Sequence, residues 1–242
     1  MMPSGLPDFD RRAAQYDSHA ALQREAAAWL AEWLPEQIAA PALELGAGTG
    51  LFTRHLAART RGLVACDVAP GMVQIGRSSL PEVAWSVAEA SHPPGPPGYR
   101  AIFSCSLMQW IPDPRETLRA WHRLAAPGAQ LISGWFVRGT LANFYAVCPE
   151  AAPFRWRTGD EWIGLLQETG WRSVRSETRT FARRHASAVA MLREMHRAGT
   201  VVPHRFGAGR LRHVLRRYDE TNREDDGVQT TFAFLRVEAI RS

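Results

Sequence analysis

The stretch PALELGAGTGLFTRHLAART, Pro41 to Thr60, decides the fold. A short apolar run leads into three glycines at alternate positions, Gly46, Gly48 and Gly50, and an amphipathic segment follows at once. Glycine accepts backbone angles that other residues resist, and its missing side chain lets a ligand approach the main chain. The start of a helix behind such a turn favours an anionic group. A dinucleotide fingerprint needs its third glycine at position 51, where Leu51 stands, and a phosphate loop needs G-K-[ST], which does not follow. The turn serves another ligand.

Outward from this turn, apolar strand-like runs alternate with helical patterns as far as Phe136. PALELG, GLVACD, VAWSVAE, RAIFSCS and AQLISGWF read as strands; GLFTRHLAARTR, APGMVQIGRSSL and DPRETLRAWHRLAAPG read as helices. Such alternation builds a parallel sheet covered on both faces. Pro112 and Pro114 open the third helix with Asp113 as its cap, and Pro127-Gly128 closes it. SHPPGPPGY (91–99) is too rich in proline and glycine for anything but a surface loop. Beyond Phe136, helices are predicted over 140–148, 158–169, 185–199 and 207–223. WRSVRSETRTF and VQTTFAFLRVEAI supply a closing strand pair, the last strand being free to run antiparallel. Residues 10–34 form an amphipathic helix pair or one long helix ahead of the core.

Strand, E-L-G-x-G-x-G, then helix resembles motif I of the class I S-adenosylmethionine-dependent methyltransferases. The resemblance implies a Rossmann-like α/β fold: a mostly parallel seven-stranded sheet with helices on both faces, plus a helical cap from the N-terminus and the C-terminal half. It also implies the cofactor, S-adenosylmethionine. Glu44 falls at the acidic position of the motif, and the backbone of Gly46, Ala47, Gly48 and Gly50 approaches the methionine part. Asp67 ends the second strand about 20 residues past the glycines, where a carboxylate can accept from both ribose hydroxyls. Glu89, ending the third strand, is implied to accept from the adenine amino group, with Ala88 and Ala90 as backbone neighbours. Val68 and Met72 pack on the adenine, and Ser104 joins the cofactor set.

The segment FDRRAAQYDSHAALQREAA (9–27) is similar to the N-terminal helix of the malonyl-acyl-carrier-protein O-methyltransferases of biotin synthesis, matching at Phe9, Arg12, Ala13, Ala14, Tyr16, His19, Ala20 and Gln23. Tyr16, His19 and Gln23 lie three or four apart and share one helical face. The resemblance makes Tyr16 and His19 candidate catalytic residues, and Tyr16 and Gln23 cofactor contacts. SCSLMQWIPDPRETLRAWHRLAAPG (104–128), VRGTLANF (137–144) and MLREMHRAGT (191–200) carry the likeness onward. They nominate Gln109, Trp110, Arg138 and Arg193 for the acceptor. The whole chain, 1–242, is expected to be one domain: cap helix 9–34, cofactor core 41–136, and substrate-side helices with closing strands 137–242.

The chemistry agrees with a carboxylate acceptor. A carboxyl with a pKa of about 4 is ionised at neutral pH, so methyl transfer to it needs positioning and partial dehydration rather than a general base. Two other readings stay open: a methyltransferase for another small organic acid or hydroxylated metabolite, and a non-catalytic cofactor-binding protein.

Composition sets the remaining bounds. The 242 residues carry a net charge of +5, and all 29 basic residues are arginine. Guanidinium forks grip carboxylates at two points, which suits an acidic acyl carrier protein presenting the malonyl thioester at an arginine-rich mouth. There is no compact basic run with interleaved aromatics, so no nucleic-acid partner is expected. No apolar run reaches the roughly 18 residues of a membrane span, and the N-terminal stretch lacks an apolar core, so neither membrane nor secretory leader is expected. Three widely spaced cysteines, Cys66, Cys105 and Cys148, have no metal-ligand spacing and read as buried thiols of a cytoplasmic protein.

Overall fold

Burial on both faces fixes the centre of the sheet. All four residues of β1 (Ala42–Leu45) are buried, as a strand covered by helices on two sides must be. It pairs in parallel with β2 (Leu63–Asp67) on one side and β4 (Tyr99–Cys105) on the other. β3 (Ala84–Val87) extends one edge and β5 (Ala125–Phe136) the other, both parallel. The last long strand, β8 (Gly227–Arg241), inserts antiparallel between β5 and β6 (Trp171–His185). The order β3-β2-β1-β4-β5-β8-β6 is the expected seven-stranded, mostly parallel sheet, and a two-residue strand, β7 (Arg223–Glu224), adds to β8. Strand order reverses between β1 and β4, and crevices at such switch points take ligands. This computed structural model describes residues 9–151, 155–197, 207–224 and 226–242.

The helices fall close to their sequence signals. α1 (Phe9–His19) and α2 (Ala21–Ala31) form the N-terminal pair, with the break at Ala20 (φ −92°, ψ 35°). α3 (Thr53–Ala57) and α4 (Pro70–Ser79) follow β1 and β2. α5 (Pro114–Leu124) is capped by Asp113, whose side chain accepts from Glu116 N at 3.0 Å. α6 (Ala142–Val147) precedes α7 (Gly159–Glu168), which starts on a reciprocal Thr158–Glu161 capping box. α8 (Ala188–Arg197) and α9 (Ala208–Thr221) complete the substrate side.

Two boundaries differ from expectation. The helix after the glycines shrinks to five residues, because Leu51 and Phe52 are buried in the turn itself. β5 starts at Ala125 and runs through Pro127-Gly128, its pairing with β4 slipping between Tyr99 and Ala101 to absorb that turn.

One buried cation fastens the N-terminal pair to the far side of the sheet. Arg236 on β8 is 5% exposed and lies over the rings of Trp29 (3.9 Å) and Trp33 (4.3 Å). It donates to Trp29 O (2.5 Å), Glu32 (3.0 Å) and Glu177 (2.6 Å), so its charge is both paired and stacked. This fixes α2, and with it Gln23, relative to the strand ends.

Candidate active site

The glycine turn has the shape its sequence calls for. Gly46 and Gly48 sit at φ +70° and +57°, in the left-handed region. A Cβ on Gly46 would stand 2.9 Å from the Leu107 side chain, whereas one on Gly48 would meet nothing within 4 Å. Gly48 thus faces open space that a side chain would fill. Asp67, at the end of β2, locks the turn from behind: Oδ2 accepts from Gly48 N and Oδ1 from Ala69 N, both at 2.9 Å. Burial raises the Asp67 pKa, opposed by these backbone donors. Each oxygen keeps a lone pair for a further donor.

Beside the turn lies a cavity of about 510 Å³. It gathers Tyr16, Gln23, Glu44, Gly46, Ala47, Gly48, Asp67, Val68, Met72, Ala88, Glu89, Ala90, Gln109 and Trp110 along one wall system. The cap helix α1 closes it through contacts that sequence reasoning did not single out. Asp10 accepts from Gly71 N at 2.6 Å, and Thr49 donates its hydroxyl to Asp17 at 2.5 Å. The Phe9 ring meets Trp110 edge-on at 5.7 Å. An acidic residue within the first and the last turn of a cap helix is the only trace of these ties in the sequence. The opposite end of the cavity is apolar, walled by Phe136, Leu141, Tyr145, Trp156, Met195 and Phe232. Ser106 (φ 59°) and Leu141 (φ 53°), which both line the cavity, adopt left-handed backbone, a strain that no local sequence signal announces.

Five nominated residues do not line the cavity. His19 is parted from Gln23 by the break at Ala20, so the face shared with Tyr16 does not run on into α2. Gly50 turns toward Leu80 and Trp85, behind the loop. Ser104 faces into the sheet packing, because neighbours on a strand alternate sides and Cys105 takes the cavity side. Arg138 is exposed and 3.8 Å from Glu161. Arg193 lies off the buried stripe of α8 (Ala188, Met191, Met195) and points to solvent. Glu89 also needs correcting: β3 stops at Val87, so Glu89 stands two residues beyond it, 57% exposed and 3.6 Å from His92. No arginine lines the cavity among the described residues. Apart from tyrosine and cysteine, the ionisable side chains at the cavity among these residues are Glu44, Asp67, Glu89, Asp113 and Glu116, all acidic.

A family model described as "Methyltransferase domain" matches residues 43–131, the span from β1 into β5 that carries the glycine turn and Asp67. The chain has the class I methyltransferase fold, and these residues match that domain. The chain is 35% identical over 138 residues to a biotin biosynthesis bifunctional protein BioHC of Cellvibrio japonicus, covering 56% of this chain and 28% of that protein. It is 32% identical over 241 residues to the bifunctional protein BioCD of Bordetella avium, covering 88% and 50%. With a malonyl-[acyl-carrier protein] O-methyltransferase of Hahella chejuensis, it shares 28% identity over 239 residues, 93% of this chain and 85% of the other. The chain thus spans half or less of the first two relatives. Among solved structures, a putative methyltransferase from Bacillus halodurans superposes with a TM-score of 0.68 at 14% identity, over 90% of this chain and 99% of that one. A Haemonchus contortus phosphoethanolamine N-methyltransferase in complex with S-adenosylhomocysteine superposes with a TM-score of 0.61 at 16% identity, over 96% and 57%. These likenesses show the fold.

S-adenosylmethionine is the cofactor of this class, and the methyltransferase cavity can be tested against it. Gln23 Oε1, Glu44 Oε2 and Gln109 Oε1 are buried acceptors with no hydrogen-bond partner among the described residues, and all three residues line the cavity. A ligand carrying an ammonium and a ribose diol supplies donors for such acceptors, and its positive sulfonium suits an acidic lining. The fit is good. Burial pushes the Glu44 carboxyl up to about 8, against the pull of the Thr53 hydroxyl and with a further push from Asp67. Burial likewise raises Tyr16, with Cys105, Asp67 and Asp17 adding to the rise, so its hydroxyl stays a neutral donor. Cys105, at the same wall, is pushed up to about 12 and is no nucleophile at neutral pH.

Proposed function

We propose that this protein transfers the methyl group of S-adenosylmethionine to the free carboxyl of a malonyl thioester, carried on an acyl carrier protein, at an early step of biotin synthesis. The observation that carries the reading is the seating of the N-terminal helix on the glycine turn, which brings Tyr16, Gln23, Gln109 and Trp110 to one cavity. Those residues belong to the segments that resemble the malonyl-acyl-carrier-protein O-methyltransferases, and the relative from Hahella chejuensis bears that name over most of its length.

In this reading the backbone of Gly46, Ala47 and Gly48 cradles the methionine part, and Asp67 accepts from the ribose diol. Val68 and Met72 flank the adenine, beside Ala90, while the half-exposed Glu89 accepts from its amino group. Tyr16 and Gln23 orient the methionine end. When bound, the cofactor supplies an electrophilic methyl on a positive sulfur. Gln109 and Trp110 hold the acceptor with neutral groups, which leaves the attacking oxygen its nucleophilicity. The apolar end strips water from the carboxylate, and the opposite charges of acid and sulfonium cancel as the bond forms, so a low dielectric favours the step. His19, a candidate catalytic residue by resemblance, lies outside the cavity wall, which fits an acceptor that needs no deprotonation. The cytoplasm, where thiols stay reduced, is the proposed compartment.

That apolar, aromatic end also supports a second reading, methylation of another small organic acid or hydroxylated metabolite. Incubation with methyl-labelled cofactor and malonyl-carrier protein, malonyl-coenzyme A or free acids separates the two. Base-labile label on the malonyl thioester is the expected result. Label confined to free acids or hydroxyl compounds would refute the first reading.

A further inference from the structure

The arginines of the substrate-side helices are sorted onto one outer face. α9 buries Val214, Leu215 and Tyr218, so Arg210, Arg212, Arg216 and Arg217 point away from the core, and all four are exposed. Arg210 pairs with Glu150 at 2.5 Å and Arg216 with Glu220 at 3.6 Å. Arg212 and Arg217 have no acidic partner among the described residues. α8 packs beside α9 and exposes Arg193 and Arg197, likewise without one. The carboxylates nearby are turned to structural work: Glu194 is 3.0 Å from the buried His185, and Asp219 accepts from Ala188 N at 2.6 Å. Elsewhere arginines are held by acids, as in Arg115–Glu168, Arg175–Glu238 and Arg184–Glu224.

This face also has a position. α8 contributes Met195 to the apolar wall, and α6, which contributes Tyr145, packs beneath α9 through Phe144 and Tyr218 at 5.8 Å. The guanidinium groups therefore lie one layer outside the acceptor end. They are too far out to touch a bound acyl group, yet placed to grip the body that presents it. The acids Glu89, Asp113 and Glu116 lie at the other end of the cavity, where they favour a cation and repel an acidic protein.

We propose that the outer face of α9, with Arg193 and Arg197 of α8, is the docking surface for an acidic protein that carries the acceptor. The inference rests on the carrier-bound malonyl reading and locates its partner. Protein is favoured over nucleic acid because, among the described residues, the face carries arginines without interleaved exposed aromatics, and single-strand binders use both.

The test uses the full chain and the double variant Arg212→Glu/Arg217→Glu, neither residue belonging to the cavity. Affinity for malonyl-acyl carrier protein is read by fluorescence anisotropy, and kcat/KM is compared for malonyl-carrier and malonyl-coenzyme A. Docking by these arginines predicts a loss of about tenfold or more on the carrier in both measurements, steepened at low salt. Malonyl-coenzyme A turnover, cofactor affinity and melting temperature stay within about twofold or a few degrees of wild type. Arg119→Glu on α5 serves as the control and leaves carrier binding unchanged. A double variant that binds and methylates the carrier like wild type overturns this inference and leaves the proposed activity standing. Duplex DNA of matched charge competing as well as the carrier overturns it too. A wild-type protein that neither binds nor methylates the carrier removes both.

Discussion

Replacing Asp67 by asparagine should damage the site as badly as replacing it by alanine. The reason is geometric. Both carboxylate oxygens already accept a backbone N–H, from Gly48 and Ala69, each at 2.9 Å. An amide has one oxygen, so its NH2 group must face one of those two donors, and a buried N–H loses its partner. A lost hydrogen bond to a charged group, or an unsatisfied buried donor, costs about 1.5–3 kcal/mol. If that falls on the glycine turn as it binds S-adenosylmethionine, affinity drops by about one to two decades. Calorimetric titration with S-adenosylmethionine or S-adenosylhomocysteine measures this for wild type, Asp67→Asn and Asp67→Ala. Unfolding curves without cofactor establish that the variants are folded. Because burial raises the Asp67 pKa, wild-type affinity should also begin to fall at a higher pH on acidification than an ordinary carboxyl near pH 4 would dictate. Asp67→Asn within twofold of wild-type affinity would refute the account of the turn.

Gly48→Val should fold, at a cost of about 1–2 kcal/mol for a left-handed valine, because nothing stands within 4 Å of its Cβ. It should not bind the cofactor, whose space it fills; titration showing binding would mean the cradle lies elsewhere. Tyr16→Phe should lower turnover about tenfold, one hydrogen bond's worth, without moving the melting temperature. Wild-type turnover would return Tyr16 to packing. The cofactor-free protein should show a pH slope traceable to Glu44, whose folded pKa of about 8 exceeds its ordinary 4.5. Its contribution to stability is full below about 4.5 and is lost as pH rises through about 8. Glu44→Gln should flatten that slope in thermal melts from pH 5 to 9, and identical slopes would count against a neutral Glu44.

Much of the fold was legible because local rules and tertiary demands coincide along residues 41–136. Strands buried on both faces read as continuous apolar runs, the alternate glycines mark a turn other residues resist, and Asp113 with Pro114 announces its helix. The same stretch placed Asp67 at a strand end, since strand length and loop length are written locally. Sequence spacing failed wherever the answer depended on which way a side chain points after the chain has turned. Tyr16, His19 and Gln23 have helical spacing, but the helix breaks at Ala20 between His19 and Gln23, and only Tyr16 and Gln23 reach the cavity. Ser104 and Cys105 are neighbours on β4, and pleating alone assigns the cavity to the cysteine. The ties of Asp10 to Gly71 and Asp17 to Thr49 join residues 61 and 32 positions apart. Composition likewise counted arginines without locating them. The fold leaves acids at the cavity and arginines on the outer face of α8 and α9, because charge is placed by the face each helix buries rather than by its abundance in the chain.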